Sequence, residues 1–253
     1  MKLFSRESGS GDPLIILHGL FGSSDNWFTL AKTFSDHYHV YLVDLRNHGQ
    51  SPHDDEFNYA ALVKDLHQFF EDQNIDKADL IGHSLGGKTV MNFVLEHPEL
   101  VQKQIVVDIT PRFYPVHHDT ILEGLNAIDP SSLQSRNEAD ELLTKYISEF
   151  GVRQFLLKNL TRDENGKFTW KFNLKVLGEN IHTVGEEIKS GKSFKGESLF
   201  IKGTKSNYFE SGDEEKILSL FPNSQFVALE TGHWVQAEKP KEFSEKVLDF
   251  LKH

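Results

Sequence analysis

The stretch Ile81-Gly82-His83-Ser84-Leu85-Gly86-Gly87-Lys88, IGHSLGGK in the chain, decides how the rest is read. It holds G-x-S-x-G between a strand-like apolar run and a helical stretch. Alone the pattern is weak, since chance supplies about 0.1 matches in a chain of this length. Its context is what sharpens it. A serine on a tight strand-to-helix turn needs small neighbours, and such a turn exposes its hydroxyl at the edge of a sheet. The Leu85 N–H then sits at a helix N-terminus, where it can face a developing oxyanion. A serine at that position also serves as an ordinary helix N-cap, so Ser84 needs companions before it reads as a nucleophile.

Working outward, apolar runs of strand length alternate with amphipathic helical stretches, the pattern of a mostly parallel central sheet flanked by helices. The runs are Leu14 to Leu17, Val40 to Val43, Asp79 to Ile81, Ile105 to Ile109, Leu199 to Ile201 and Phe226 to Leu229. Tyr59 to Phe70 and the stretch from Phe243 to Leu251 each carry one apolar face at helical spacing. Between Pro111 and Gly196 the rhythm changes to helical segments alone, at Ile121 to Ile128, Glu138 to Phe150 and Val152 to Leu160. The expected organisation is therefore a core of residues 1–110 and 197–253, with 111–196 inserted as a helical cap or lid after the strand ending near Asp108. Such a cap belongs above the C-terminal ends of the strands, where open α/β sheets bind ligands.

The chain has 253 residues, no cysteine and a formal net charge of −11. The missing cysteine excludes disulfides, thiolate nucleophiles and cysteine-based zinc sites, and it fits a reducing compartment. The excess of acids disfavours nucleic acid and anionic membrane surfaces as partners. No apolar run is long enough to span a bilayer, and the start MKLFSRESGSGDPL lacks a signal-peptide pattern. A soluble, cytoplasmic protein acting as a monomer or homodimer is the expectation.

Companions for Ser84 stand at two other loops. His18-Gly19-Leu20 follows the first apolar run, and a His-Gly turn there offers a second oxyanion amide, from Leu20. His18 itself reads as a turn-stabilising residue. His233, in Glu230-Thr231-Gly232-His233-Trp234, follows the last strand-like run and precedes the last helix, which brings it to the same sheet edge as Ser84. A serine needs such a base at neutral pH. His117, His118 and His182 fall in the cap region and read as surface or pocket residues.

These residues together resemble the α/β-hydrolase family. The likeness covers nearly the whole chain: HGLFGS from His18, DLRNHGQS from Asp44 to Ser51, GHSLGGK around Ser84, and TGHWVQAEKP from Thr231 to Pro240. Within the family the chain is most similar to bacterial esterases of the YbfF type and eukaryotic hydrolases of the ABHD11 type, through RNHG, VDITP, and QFLLKNL with WKFNL in the cap.

Family order places the triad acid between the serine and the histidine. The usual position, in a G-x-x-D turn, holds Ser206 in Gly203-Thr204-Lys205-Ser206, and a hydroxyl does not stabilise an imidazolium as a carboxylate does. Glu210 and Asp213 follow that loop but read as acids at an exposed helix start. Asp44 precedes the serine and belongs to a D-x-R-x-x-G-x-S turn, with a structural role beside Arg46 expected. Asp108 remains. Behind Ile105-Val106-Val107 it is costly to bury unless hydrogen-bonded, and the Nδ1–H of His233 is a suitable partner. The resembling esterases displace their acid to this same strand.

The resemblance implies a serine carboxylesterase acting on short to medium acyl esters through an acyl-enzyme on Ser84, and it admits acyl-CoA thioesters. No metal or organic cofactor is required. Phe21, Tyr114, Phe155 and Trp234 are candidate walls of the acyl pocket, and Lys88 and Arg112 are candidate contacts for an anionic leaving group. The rivals are C–C bond hydrolysis, perhydrolysis or a menaquinone-pathway elimination on the same scaffold, and a non-catalytic ligand receptor.

Overall fold

The computed structural model describes residues 1–116 and 118–252. His117 and His253 lie outside the described residues. In chain order the strands are β1 (Ser5–Ser8), β2 (Pro13–Leu17), β3 (His39–Val43), β4 (Ala78–His83), β5 (Val101–Val107), β6 (Leu160–Arg162), β7 (Phe168–Trp170), β8 (Glu197–Gly203) and β9 (Ser224–Leu229). The helices are α1 (Phe28–Phe34), α2 (Tyr59–Asp72), α3 (Leu85–Glu96), α4 (Asp119–Asn126), α5 (Arg136–Leu143), α6 (Phe150–Leu157), α7 (Leu174–Glu179), α8 (Asp213–Leu220), α9 (Val235–Glu238) and α10 (Pro240–Lys252).

The main sheet runs β1-β3-β2-β4-β5-β8-β9, with β1 antiparallel to β3 and every other pairing parallel. Each inner strand carries a short apolar run rather than a strict apolar–polar alternation, because both faces are covered. Successive side chains point to opposite faces. Leu14, Ile16, Val40, Leu42, Ile81 and Ile105 pack with Phe34 of α1 and Phe243 and Val247 of α10. Ile15, Leu17, Tyr41, Val43 and Val106 pack on the other face with Leu66 and Phe70 of α2 and Phe93 of α3. That second cluster continues into the insertion through Leu125, Leu143 and Leu156.

The chain leaves β2 toward β3 on one side and returns to pair β4 on the other, so the strand order reverses there. A crevice forms outside the carboxyl ends of strands at such a reversal. β1 escaped the sequence reading because its residues, Ser-Arg-Glu-Ser, form a polar edge strand with no apolar run.

The segment between β5 and β8 differs from expectation in two places. The helix expected over Glu138 to Phe150 stops at Leu143, and a new one starts at Phe150. Buried Arg153 explains the break: its guanidinium donates to the Ile147 and Ser148 carbonyls at 3.0 and 2.8 Å and to Asp140 Oδ1 at 2.8 Å. Those contacts satisfy carbonyls that a continuing helix would have bonded itself. Further on, α6 ends at Leu157 and Leu160 opens an antiparallel hairpin, β6 with β7. Its turn is built by Asp163, whose Oδ1 accepts from the Asn165 and Lys167 amides, and by Gly166 at φ +77°. Three-residue strands are too short to show as a period in the sequence.

Replacing Arg153 by Met removes these contacts and leaves two backbone carbonyls without their donor. The expected cost is about 2–3 kcal/mol of unfolding free energy in urea titration. A loss below about 0.5 kcal/mol would show that the α5–α6 corner is held by something else.

Candidate active site

Strands β2, β4, β5, β8 and β9 are consecutive neighbours, and the residues just beyond their carboxyl ends meet in one place. Leu17 pairs with Gly82, His83 with Val107, Val107 with Ile201, and Gly203 with Leu229. One step past those pairs stand the His18–Gly22 turn, Ser84, Asp108, the loop from Thr204 to Tyr208, and the loop carrying His233.

Ser84 has φ 54° and ψ −115°, and its hydroxyl makes no capping hydrogen bond to α3. The N-cap role that competes with nucleophile is thus unused. The turn closes because two glycines let backbones touch. A Cβ on Gly82 would lie 2.3 Å from the Gly86 carbonyl oxygen, and one on Gly86 would lie 2.5 Å from that of Leu17. Positive φ at a non-glycine residue costs energy and gathers at functional sites. Among the described residues it occurs at Phe21, Asn47, Asn74, Ser84 and Asp108, three of which belong to this site.

The His18–Gly22 turn lies directly against the serine, since a Cβ on Gly19 would sit 3.3 Å from Ser84 Cβ. The Phe21 amide donates to His48 Nε2 at 3.2 Å and the Gly22 amide to the Gly19 carbonyl at 2.9 Å. Both are therefore spent, and neither competes with the Leu20 amide, the candidate oxyanion donor of this turn. His18 donates from Nδ1 to the Gly19 carbonyl at 2.8 Å and accepts the Leu45 amide at Nε2 at 3.0 Å. His48 bonds the Arg46 carbonyl in the same way, at 2.8 Å. Sequence reasoning missed His48, although the RNHG motif marked its place. Asp44 is structural, but Arg46 is not its partner. Its carboxylate accepts the Ser24 and Gln50 amides at 2.6 and 2.8 Å, while Arg46 pairs with Asp65 at 2.6 Å.

Asp108 is fully buried. Its Oδ1 accepts the Gly203 amide at 2.8 Å, and its Oδ2 accepts from His233 Nδ1 at 2.8 Å and from the Ser206 hydroxyl. Three donors offset the desolvation that burial imposes on the carboxylate. Ser206, at the position where a carboxylate is common, thus serves as a donor to Asp108. Glu210 and Asp213 instead hold Arg112, at 2.8 and 3.2 Å. With the Nδ1 proton of His233 facing Asp108, its Nε2 keeps the lone pair a base needs. The imidazole is stacked under the Tyr208 ring at 4.2 Å, and the His233 carbonyl accepts from His83 Nε2 at 2.9 Å.

Ser84 and His233 open on a cavity of about 600 Å³ whose walls include Leu20, Phe21, Tyr114, Phe155 and Trp234. His118 lies on its lining and His182 does not. The two cations proposed for an anionic leaving group are otherwise engaged. Lys88 is buried, and its ammonium donates to the Arg112 carbonyl at 2.9 Å and to that of Glu186. Burial, with Arg112 nearby, lowers its pKa to about 7. Arg112 does line the cavity, but Glu210 and Asp213 neutralise it. Among the described residues no cluster of three His, Asp or Glu is arranged to hold a metal ion, and no helix is long and apolar enough to cross a membrane.

The α/β-hydrolase fold family model matches residues 12–141. Esterase YbfF of Escherichia coli is 38% identical over 234 residues, covering 91% of this chain and 89% of its own. The chain belongs to the α/β-hydrolase family. The mouse sn-1-specific diacylglycerol lipase ABHD11 is 35% identical to this hydrolase over 94% of its chain and 80% of the lipase. A solved marine microorganism esterase superposes with a TM-score of 0.96 at 42% identity, covering 98% of this hydrolase and 99% of the esterase.

The buried histidines of the hydrolase make its stability depend on pH. Burial lowers the pKa of His18 to about 4, and burial with the neighbouring His18 lowers that of His48 to about 3. Unfolded, both titrate near 6.5. Below that pH the unfolded chain binds protons the folded one refuses, so stability is full above about 6.5 and falls as pH drops toward 4. The urea midpoint is expected to decline through this window, and His48→Gln, which does not titrate, is expected to flatten the decline by about one proton. An unchanged slope in the variant would mean that His48 is not held neutral by the fold.

Proposed function

We propose that this α/β-hydrolase is a serine esterase working through an acyl-enzyme on Ser84. It is an ester-hydrolysing enzyme, a class to which the named esterase and lipase relatives belong. The observation that carries the serine mechanism is the 2.8 Å bond from His233 Nδ1 to buried Asp108, beside an elbow serine whose hydroxyl caps nothing.

Ser84 Oγ attacks the acyl carbonyl carbon while His233 Nε2 takes its proton. Asp108 holds the Nδ1–H tautomer and stabilises the imidazolium. The carbonyl oxygen becomes an oxyanion received by the Leu20 and Leu85 amides, each donor worth about 3 kcal/mol. The imidazolium then protonates the departing alkoxide, leaving an ester on Ser84. Water, deprotonated by the same imidazole, attacks that ester, and the imidazolium returns the proton to Ser84 Oγ as its bond to the acyl carbon breaks and the acid leaves.

Residues 111–196 act in this reading as a lid over the core formed by 1–110 and 197–253, supplying Tyr114 and Phe155 to the acyl pocket beside Phe21 and Trp234. The apolar walls suit short to medium acyl chains. Acyl-CoA thioesters gain no separate support, because Arg112 on the cavity wall is already neutralised. Absence of cysteine fits the proposed cytoplasmic location.

The test is hydrolysis of a p-nitrophenyl ester panel of varied chain length by wild type and variants. Ser84→Ala and Asp108→Asn are each expected to lose about four orders of magnitude in kcat, whereas Glu210→Gln keeps wild-type turnover within a few-fold. Wild-type rates in Ser84→Ala would refute the mechanism. Loss in Glu210→Gln with Asp108→Asn intact would move the acid.

A further inference from the structure

The loop after β8 does more at this site than replace a carboxylate with a hydroxyl. Tyr208 lies flat against His233, its ring centroid 4.2 Å from the imidazole centroid with 22° between the planes. Nothing about a stacked pair by itself requires that geometry to persist, yet Tyr208 is anchored at both ends of its backbone unit. Its amide donates to Ser206 Oγ at 3.3 Å, the same hydroxyl that donates to Asp108. Its carbonyl accepts the Tyr114 hydroxyl at 2.6 Å, and the two tyrosine rings pack at 5.2 Å. Tyr114 is tied in turn to the strand end by the Thr110 amide at 2.9 Å. The ring is thus fixed by the acid's own hydrogen-bond network on one side and by the chain leaving β5 on the other.

We propose that Tyr208 is a positioning residue of the His233 base, its ring face holding the imidazole in plane and stabilising the imidazolium formed when Ser84 gives up its proton. The proposal rests on the Ser84–His233–Asp108 reading. The chemistry is that of a cation over an aromatic face. The ring quadrupole presents negative charge to a cation within about 6 Å of the centroid and is most effective away from water. The effect is differential, because the neutral imidazole of the resting enzyme gains little from that face and the imidazolium gains much. Asp108 supports the same charge from the Nδ1 edge, in the plane of the ring, and Tyr208 supports it from the face. The titratable groups that meet the imidazole are Asp108 at 2.8 Å, Tyr208, and His83, whose ring lies 4.7 Å away and which burial keeps neutral. Trp234 touches it edge-on at 5.9 Å, and Glu238 caps the adjacent Gly232 amide at 2.9 Å.

Tyr208→Leu keeps apolar bulk over the imidazole and removes the aromatic face, while Tyr208→Phe keeps the face and removes the hydroxyl. For p-nitrophenyl butyrate, Tyr208→Leu is expected to lose roughly tenfold in kcat. The acid limb of its kcat/KM profile, which reports the base, should move to lower pH by about half a unit to one unit. Tyr208→Phe is expected to stay within about twofold of wild type with its acid limb unmoved. A ring that merely filled space would leave the acid limb in place in all variants. Should the leucine variant fold poorly, a tetrafluorinated phenylalanine at 208 keeps the shape and drains the face of negative charge, and it should reproduce the shift. The inference is overturned by an unmoved acid limb in both non-aromatic and fluorinated variants, or by Tyr208→Phe losing as much as Tyr208→Leu. Labelling of Ser84 by a fluorophosphonate in the same preparations separates this from the mechanism itself. Labelled Ser84 with unmoved limbs refutes only the role of Tyr208, whereas unlabelled wild-type Ser84 refutes the reading beneath it.

Discussion

A carboxylate with no access to solvent sits just past the end of β5, and the site is organised around satisfying it. Asp108 takes three hydrogen bonds from three places: the last residue of β8, the turn that follows β8, and the loop after β9. An unpaired buried charge would cost several kcal/mol, so the three donors cannot relax independently of one another. Asp108 and His233 therefore hold one another in place: the carboxylate fixes the Nδ1 edge of the imidazole, and that Nδ1–H is one of the three donors that make its burial tolerable.

The opposite side of the site is held by neutral groups. His18 and His48 each use one nitrogen as acceptor for a backbone amide and the other as donor to a carbonyl, which ties the turn after β2 to the turn after β3. Protonation of either would replace an accepted amide hydrogen bond by repulsion, so burial that suppresses their basicity is what makes them usable as struts. Between these two networks, the switch of strand order at β2 and β4 places Ser84 where both meet. The glycines at 82 and 86 are the local condition, since a side chain at either would collide with backbone.

The sheet, and the meeting of Ser84 and His233 at one edge of it, were legible in the sequence because they depend on local patterns. Runs of apolar residues marked six of the seven strands of the main sheet, and the motifs around Ser84 and His233 read directly as a strand-to-helix elbow and a loop before the last helix. Asp108 was legible in a weaker way, from a carboxylate behind an apolar run together with the serine standing at 206. What stayed hidden depends on partners distant in the chain. Ser206 reads as a loss until its hydroxyl is seen on Asp108, 98 residues away. Tyr208 and His48 carry no sequence sign of the rings and amides they touch. Lys88 and Arg112 read as free cations, yet one is closed against two carbonyls and the other against two carboxylates. The polar edge strand β1 and the hairpin of β6 and β7 were missed because neither offers a period long enough to detect.

Passage of the acyl group through Ser84 is the step on which the proposed mechanism stands. It is tested most directly by acid-quenching the enzyme during turnover of a slowly deacylated butyrate ester and mapping the protein by mass spectrometry. A single butyryl group on the peptide containing Ser84, absent from Ser84→Ala, is the expected result. Ester consumed with no acyl group on that peptide, or an adduct on another residue that turns over at the catalytic rate, would contradict it.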